Sequence, residues 1–374
     1  MSHHVADSKL TEHSVVLEHT RCPKCGSADG RQIAEGKDHM FSVQGTFYVA
    51  ECAVCRLQFQ NPRPDSASLP RLYPTHYGML QNPKIENSAP AVASRDAAEE
   101  RPKISSRGSV SGKWSARFLW RFQQRNYLAH NLHYEHLRPE GGRMNWPFLG
   151  PRNRRDCGLN LIPKYVDGGR LLELGCATGL KLESLRKIGW RDLQGIEMVE
   201  AAAEVARARG FAVKTGVVET EMDSYPNAYF DVITSSFMLE HVYNPFEVVR
   251  LLARKLKPGG EFLFSTICRN AVDANLYGSY WAGFDFPRHM VFFSKKDLRD
   301  MISPYFSSTE YHYQCAFIDF VRSSSWRIND GRGTAWDRLA VAGGDTRLTR
   351  ALLAPFSWLG RTTRVSVRCV RNWT

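Results

Sequence analysis

Two pairs of cysteines near the N-terminus have the spacing of metal ligands. Cys22 and Cys25 form one Cys-x-x-Cys pair, Cys52 and Cys55 form the other, and 26 residues separate the pairs. Four thiolates at this spacing can close a tetrahedral Zn²⁺ site, and four protein ligands leave no position open for catalysis. We therefore predict a zinc ribbon with a structural Zn²⁺ ion, in which the intervening His39 is an ordinary loop residue.

A turn of small residues follows an apolar run in the middle of the chain. Gly175, Ala177 and Gly179 lie between a predicted strand and a predicted helix. Such a turn lets a ligand approach the backbone, and the helix start offers free N–H groups. The spacing is not the G-x-G-x-x-G of dinucleotide-binding proteins. Glu173, near the end of the strand, would repel a pyrophosphate and suits a cation such as an ammonium group.

A second acid, Glu197, ends the next predicted strand, 22 residues after Gly175. In nucleotide-binding α/β folds an acid at this position accepts hydrogen bonds from both ribose hydroxyls. The pattern indicates an adenosine-like ligand with a cationic amino-acid end and no phosphate, which describes S-adenosylmethionine. We predict that these two acids and the three turn residues bind it. The alternative is a Rossmann-like domain that binds another nucleotide.

Strand and helix patterns alternate from Gly169 onward. Short apolar runs are separated by amphipathic segments, two of which end at Gly189 and Gly210. Alternation with short connections predicts an α/β fold, in which helices cover both faces of a parallel sheet.

Together these segments resemble class I S-adenosylmethionine-dependent methyltransferases. "ELGCATG" matches the family's first motif, E/D-x-G-x-G-x-G, with Ala177 where glycine is more usual. "LEHV" at 239–242 and "LKPGG" at 256–260 are typical of the ubiquinone-biosynthesis-type subgroup, and "WAGFDFPRHMVFFSKKDLRDMI" is similar to a segment of its bacterial members. The resemblance covers about 167–306. It implies a Rossmann-like, seven-stranded, mostly parallel sheet with helices on both faces, and methyl transfer.

Two further residues are candidates for cofactor contacts. Met198 directly follows the ribose-binding acid. Members of the family often carry an acid after the third strand that meets the adenine amino group, but Val217 and Val218 occupy that place here. Glu219 is the candidate substitute, and backbone groups are the alternative.

Two histidines are candidates for the general base that removes a proton from the methyl acceptor. The leaving thioether needs no acid, so the base is the group to find. His241 lies just past the carboxyl end of the predicted fourth strand, where ligands bind in open α/β sheets; the alternative is that it only packs near the cofactor. His289 is the second candidate. Beside it, Arg288 could grip a phosphate or carboxylate of the acceptor, and Trp281 could stack on it; the alternative is a structural lid.

The chain divides into five predicted parts. Residues 15–80 form the zinc ribbon, 81–112 a flexible linker, 113–165 a helical lead-in, 166–310 the methyltransferase core, and 311–374 a C-terminal cap with the last strand. The sequence after the second cysteine pair, "CRLQFQNPRPDSASLPRLYPTHYG", resembles ribbons fused to bacterial methyltransferases of cell-surface polysaccharide and nucleotide-sugar pathways. This resemblance implies a small-molecule or glycan acceptor.

A net charge of +12 over 374 residues favours a polyanionic neighbour: RNA, an anionic membrane or a phosphorylated substrate. The alternative is a solvated basic surface. One rival function is RNA base methylation with the ribbon gripping RNA, and another is a non-enzymatic cofactor-binding scaffold. The basic residues are dispersed and no N-P-P-Y motif occurs, which disfavours RNA.

The segment "RLTRALLAPFSWLGRTTR" at 347–364 combines apolar residues with flanking arginines. It predicts either peripheral contact with an anionic membrane, near a lipid-linked substrate, or an ordinary amphipathic helix packed on the domain. No apolar run approaches the roughly 18 residues of a membrane span, and the polar N-terminus has no signal-peptide core. We therefore expect a cytoplasmic protein, either free or peripheral to the inner membrane face; the pattern specifies no oligomeric state.

Overall fold

The computed structural model describes residues 15–73 and 162–373. The predicted linker at 81–112 lies outside the described residues, as does the predicted helical lead-in at 113–165 except for its last four residues.

Short strands surround the two cysteine pairs. β1 pairs antiparallel with β5, while β2, β3 and β4 form consecutive antiparallel pairs. A 3-10 helix, Ser66–Leu72, follows and is capped by the Asp65 carboxylate, which accepts from the Ser68 N–H at 2.9 Å. The strands are β1 (Leu17–Glu18), β2 (Gly30–Gly36), β3 (Phe47–Cys52), β4 (Gln58–Gln60) and β5 (Arg63–Pro64).

A seven-stranded sheet forms the centre of the second region. Its strands are β6 (Arg170–Leu174), β7 (Asp192–Glu197), β8 (Ala212–Thr215), β9 (Phe230–Ser236), β10 (Leu256–Ile267), β12 (Phe306–Tyr313) and β13 (Arg364–Arg371), and the two-residue β11 (Val291–Phe292) lies outside it. Their order is β12-β13-β10-β9-β6-β7-β8. The five strands from β10 to β8 are parallel. β13 is antiparallel to β10, and β12 is antiparallel to β13. This arrangement confirms the predicted Rossmann-like, mostly parallel sheet.

Helices connect these strands. Asn244 caps one of them by accepting from the Glu247 N–H, and Pro245 occupies its first turn, where a missing N–H costs nothing. The helices are α1 (Leu180–Lys187), α2 (Glu200–Ala208), α3 (Val218–Glu221), α4 (Pro245–Lys255), α5 (Val272–Tyr277), α6 (Lys295–Ile302), α7 (Ile318–Asn329), α8 (Ala335–Gly343) and α9 (Arg347–Trp358).

The cysteine-containing region is not an independent module. β11, from the second region, pairs antiparallel with β4, so that one four-stranded sheet of order β11-β4-β3-β2 contains strands from both regions. Leu57 and Leu72 are buried in the same apolar core as Leu239 and Val291. A shared sheet and a shared core couple the two regions, because neither can separate without exposing buried apolar surface.

The helix α9 turns its apolar side outward. Leu348 and Leu352 are 73% and 62% exposed, whereas Thr349 and Ser357 are buried. Leu353 is buried, so the helix packs on the domain through one leucine and these polar groups and leaves its other two leucines exposed. Within the described ranges, 15–73 and 162–373, every helix is too short or too polar to cross a bilayer.

Candidate functional site

The small-residue turn lies between β6 and α1, at the carboxyl end of the parallel strands. Gly175, Ala177 and Gly179 all have left-handed backbone, with φ of 68°, 46° and 79°. Ala177 adopts this conformation although its Cβ disfavours it, which accounts for the usual glycine at the position. A Cβ on Gly175 would approach Met238 Cγ at 3.3 Å, so the turn also packs against the loop that follows β9.

A glycine on the neighbouring strand lets the turn approach it closely. A Cβ on Gly195, in β7, would lie 2.5 Å from Cys176 Sγ. Cys176 is buried, and burial raises the pKa of its thiol well above the usual range. It is therefore a packing residue rather than a nucleophile. Sequence reasoning missed Gly195, since an isolated glycine in a strand was its only signal.

Glu197, at the end of β7, holds the turn in place. Its Oε2 accepts from the Ala177 N–H at 2.8 Å and its Oε1 from the Val199 N–H at 2.9 Å. Burial raises the pKa of Glu197, and these hydrogen bonds oppose the rise. Each carboxylate oxygen has a second lone pair, so Glu197 can still accept from a ribose while it clamps the turn.

Glu173 lies below the turn and is buried. Lys181 Nζ, from α1, lies 3.3 Å from Glu173 Oε1 and donates to Ser236 Oγ at 3.1 Å. The cation that Glu173 meets in this structure is therefore a lysine of the same chain. Burial raises the pKa of Glu173, and its buried Oε2 has no hydrogen-bond partner among the described residues. An orphaned acceptor at this point fits a ligand that brings N–H groups.

The two other predicted cofactor residues lie at the edge of this region. Met198 is partly buried against the core, directly after Glu197. Glu219, in α3, accepts from the Tyr243 N–H at 3.3 Å with Oε1, which links it to the loop after β9. These positions put Glu219 near the site with one oxygen already engaged.

The two predicted histidines contact each other. The rings of His241 and His289 meet edge to face with centroids 4.6 Å apart. A nitrogen of each ring and an oxygen of the adjacent Glu240 lie within 4.8 Å of one another, a separation at which they could bind one cation. Glu240 Oε2 accepts from Thr266 at 2.8 Å, while the buried Oε1 has no partner within the part of the chain described. Burial raises the pKa of Glu240.

Backbone carbonyls orient both rings. His241 Nδ1 lies 3.2 Å from the Arg288 carbonyl and His289 Nδ1 lies 2.8 Å from the Gly283 carbonyl. A carbonyl only accepts, so a hydrogen bond from either ring to its carbonyl places a proton on Nδ1, and a neutral His241 then keeps its lone pair on Nε2. Burial, and next the charge of His289, lowers the pKa of His241 to about 3.

The cysteine-containing region adds a side chain to this site. Tyr73, just past its 3-10 helix, brings its hydroxyl within 3.1 Å of His241 Nδ1 although 168 residues separate the two in sequence. Burial raises the pKa of Tyr73, and the charges of Asp285, Glu197 and Glu240 add to the rise while Arg288 opposes it. Sequence reasoning missed Tyr73, because nothing in its spacing links it to His241.

The guanidinium of Arg288 is bound by groups of the protein itself, which contradicts its predicted role of gripping the methyl acceptor. Its guanidinium is buried, donates to both oxygens of Asp38 at 2.9 Å, and also bonds both oxygens of Asp285 and the Phe286 carbonyl. These protein acceptors engage Nε and both terminal nitrogens. The structure therefore favours the lid interpretation, in which Arg288 fastens the 285–290 loop to the cysteine-containing region.

Trp281 also belongs to the lid core rather than to an acceptor surface. It is 1% exposed, and its indole N–H donates to Asp273 at 3.1 Å and to Thr363 at 3.0 Å. A ring closed in on all sides cannot stack on a substrate, so the predicted substrate contact is wrong for this conformation.

Backbone strain concentrates at the site. Six non-glycine residues of the described ranges have positive φ, and Ala177, Phe237 and Asp285 among them lie in the cofactor turn, the loop after β9 and the lid. Conformations of this kind persist where surrounding contacts enforce them, which is common at functional sites.

The four predicted zinc ligands meet. Cys22 Sγ and Cys55 Sγ are 3.5 Å apart, as are Cys25 Sγ and Cys52 Sγ, and all four sulfurs lie within 4.8 Å of one another. A tetrahedral ion with Zn–S bonds of about 2.3 Å needs sulfurs about 3.8 Å apart. The cluster fits a structural Zn²⁺ ion.

The comparison with known families agrees with this geometry. Residues 126–303 match the family model described as a methyltransferase domain. The ubiquinone biosynthesis O-methyltransferase of Proteus mirabilis is 38% identical over 123 residues, which cover 30% of this chain and 49% of the relative. The enzyme of the same name from Shewanella halifaxensis is 40% identical over 143 residues, covering 35% of this chain and 57% of the relative. The chain thus spans about half the length of these curated relatives.

The matches among solved structures include two S-adenosylmethionine-dependent methyltransferases. The one from Mesorhizobium loti has a TM-score of 0.40 at 19% identity and covers 59% of this chain and 100% of its own. The one from Thermotoga maritima has a TM-score of 0.41 at 17% identity and covers 68% of this chain and 97% of its own.

The strand order, the glycine turn and the two acids at the strand ends form a Rossmann-like α/β domain with a turn open to a ligand. The family model described as a methyltransferase domain matches residues 126–303, a range that includes this turn and both acids. Its relatives among curated proteins include the ubiquinone biosynthesis O-methyltransferases.

Proposed function

We propose that the protein transfers a methyl group from S-adenosylmethionine to a small-molecule or glycan acceptor, with His241 as the general base. The observation that carries the proposal is the position of His241. It lies in the loop after β9, whose Met238 packs on the cofactor turn, and its ring contacts His289 and Tyr73.

The cofactor, when bound, supplies a methyl group on a sulfonium whose leaving thioether needs no proton. Glu197 would hold the ribose, Glu173 and the Gly175–Gly179 turn the amino-acid end, and the start of α1 would contribute free N–H groups. These residues act by binding and alignment, which can lower the barrier by several kcal/mol.

The acceptor proton would pass to His241 Nε2. A pKa of about 3 keeps the ring neutral and able to accept a proton near pH 7, although its basicity alone is low. Glu240 Oε1 is buried without a partner among the described residues, and a Glu240 carboxylate oxygen lies within 4.8 Å of both rings, so an ionised Glu240 would stabilise the imidazolium as it forms. Tyr73 fixes the ring from the other region.

Two classes of acceptor agree with this chemistry: the hydroxyl of a sugar, as in a nucleotide sugar, and the phenol of a quinone precursor. The resemblance of the ribbon and its continuation supports the first, in cell-surface polysaccharide or related metabolism. The names of the curated relatives support the second. Both place an O–H group of a small molecule against the histidine pair.

RNA base methylation is the alternative function. Several polar side chains of the ribbon form ion pairs with the transferase region. Lys24 Nζ lies 2.7 Å from carboxylate oxygens of Asp297 and Asp300, and Asp38 pairs with Arg288. A ribbon that builds the active site has fewer groups for RNA, which favours the small acceptor.

The test combines cofactor binding and methyl transfer by the full chain. Glu197→Gln removes a charged acceptor, worth about 1.5–3 kcal/mol, so we expect the Kd for S-adenosylmethionine in calorimetry to rise about 10- to 100-fold. The matched control is Glu200→Gln, an exposed glutamate three residues along the chain that pairs with Arg207. Equal affinity of the two variants would contradict the assigned cofactor site.

The acceptor is tested with methyl-labelled cofactor against nucleotide sugars, phenolic quinone precursors and total RNA. We expect label in one of the first two pools, and loss of at least 90% of that transfer in His241→Asn with the Kd for the cofactor unchanged. Label in RNA with a steep dependence on salt would establish the alternative. Cofactor binding without transfer to any pool would support a non-enzymatic scaffold.

A further inference from the structure

The outward face of α9 carries an unusual concentration of exposed apolar side chains. Leu348, Leu352 and Leu359 are 73%, 62% and 65% exposed and recur at helical spacing along one side. Phe356 and Trp358 extend the same surface. The neighbouring α8 adds two more exposed residues. We call this set the apolar face: Trp336, Leu339, Leu348, Leu352, Phe356, Trp358 and Leu359.

Specific contacts fix this orientation of α9. Its buried side carries Thr349, Leu353 and Ser357. Thr349 Oγ1 donates to the Gly344 carbonyl at 2.8 Å, and Ser357 Oγ accepts from Cys315 Sγ at 3.2 Å. The helix cannot rotate its leucines inward without leaving these polar groups unpaired in the interior, which is costly. The exposure is therefore built into the fold.

The charges around the apolar face have one sign. Residues 331–361 contain five arginines, two aspartates and no lysine or glutamate. Both acids are engaged with the protein: the Asp345 side chain is 1% exposed beside Arg350, and Asp337 is fully buried beside Arg327. Arg332, Arg338 and Arg361 are exposed, so this segment presents positive charge while both of its carboxylates are buried.

We propose that the apolar face docks on the surface of an anionic phospholipid bilayer. Leucine and phenylalanine side chains enter the acyl boundary, tryptophan lies at the headgroup level, and arginines pair with lipid phosphates. A protein partner with an acidic rim or a second copy of the chain would need an apolar patch of its own. A second copy would bring the same arginines face to face, and this repulsion favours the bilayer.

The apolar face connects to the lid of the methyltransferase site. The Trp336 indole N–H donates to the Tyr277 hydroxyl at 3.2 Å, and that hydroxyl contacts Ser324 in α7 at 2.7 Å. α7 in turn contacts the segment before the 285–290 loop, since Ser323 Oγ accepts from the Ala282 N–H at 2.9 Å. The apolar face is thus joined to the segment before the 285–290 loop by a short series of hydrogen bonds.

The test is flotation of the purified full chain with vesicles. One set contains phosphatidylcholine alone, and the other contains phosphatidylcholine with about 30% phosphatidylglycerol. We expect flotation only with the anionic vesicles. Leu348→Ser with Leu352→Ser should lower the bound fraction at least tenfold. Arg338→Glu with Arg361→Glu should lower it about 25-fold or more, because each arginine contributes roughly fivefold near an anionic surface.

Matched controls keep the result interpretable. Val54→Ser changes an exposed apolar residue of the cysteine-containing region, and Lys187→Glu reverses an exposed charge on α1. Both should bind vesicles like the unchanged chain. All substituted residues of the apolar face are exposed, so circular dichroism and cofactor affinity should be unchanged. Segments outside 331–361 are identical in every variant of the face and contribute equally.

Three results would overturn the proposal. The first is absence of flotation with anionic vesicles, and the second is flotation that the leucine and arginine variants leave intact. The third is a dimer in analytical ultracentrifugation that these variants dissociate, because the apolar face would then be an interface between two copies. The assay does not involve methyl transfer, so failure here leaves the proposed function untouched.

Discussion

The buried ion pair between Asp38 and Arg288 gives the sharpest test of how the two regions cooperate. These residues are 250 apart in sequence, and the Arg288 guanidinium is buried between Asp38 and Asp285. The perturbation is Asp38→Asn, which removes the charge and preserves the size of the side chain. The amide of the variant turns N–H donors or a single oxygen toward a guanidinium that only donates.

The structure sets the size of the effect. Breaking a buried pair costs about 3–5 kcal/mol, and Asp285 and the Phe286 carbonyl still serve Arg288 in the variant. We therefore expect the lower end, about 3 kcal/mol, which is a factor of about 100 in an opening equilibrium. The segment that opens should be the 285–290 loop together with β11. Two backbone hydrogen bonds hold this segment and would break on opening: the Met290 N–H donates to the Glu240 carbonyl at 2.6 Å, and the Met290 carbonyl accepts from the Gln60 N–H at 2.9 Å.

Hydrogen–deuterium exchange measures this opening directly. Protection of the amides at 290–293 should fall about 100-fold in Asp38→Asn, while protection in β6, β7 and β8 stays the same. The Kd for S-adenosylmethionine should stay within about twofold, because Glu197 and the turn are not touched, and methyl transfer should fall since the Arg288 carbonyl no longer orients His241.

Glu51→Gln is the matched control in the same region. Glu51 is also nearly buried, but it pairs with Arg31 and Arg56, which are exposed, so its loss should cost at most about 1 kcal/mol. Unchanged protection at 290–293 in Asp38→Asn would refute the claim that this pair fastens the lid. Equal loss of protection throughout the central sheet would show global destabilisation instead.

Three further predictions concern pH, metal and packing. The folded pKa of His241, about 3, lies below the unfolded value of about 6.5; its contribution to stability is full above pH 6.5 and declines as the pH falls toward 3, by up to about 1.4 kcal/mol per unit. Urea titrations across this range should therefore give a flatter pH profile for His241→Asn, and parallel profiles would contradict the assignment. Elemental analysis should find one zinc per chain, and Cys25→Ser should lower both zinc content and methyl transfer while leaving cofactor affinity within about twofold; loss of cofactor binding would mean that the metal supports the whole sheet. Gly195→Ala places a Cβ against Cys176 Sγ and should weaken cofactor binding about tenfold, with partial recovery when Cys176→Ala is added; no recovery would place the effect elsewhere.

Much of the fold and of the cofactor side followed from local sequence pattern. Strand and helix periodicity predicted the parallel strands, and the acids at the ends of β6 and β7 flank the turn because carboxyl ends of parallel strands meet at one edge. The cysteine spacing predicted a four-sulfur cluster, since two ligands with two residues between them converge through the local turn alone.

Tertiary structure decided the acceptor side. Tyr73 reaches His241 and Asp38 reaches Arg288 across 168 and 250 residues, and no spacing rule connects positions so far apart. It also decided the role of Arg288, because whether a guanidinium meets a ligand or a carboxylate of its own chain depends on what packs beside it. The face of α9 is a third case: the sequence left open membrane contact or an amphipathic helix packed on the domain. The polar partners of Thr349 and Ser357 determined that Leu348 and Leu352 point outward, while Leu353 is buried. Local pattern fixes elements because backbone geometry repeats along the chain, whereas side-chain partners depend on how those elements pack in three dimensions.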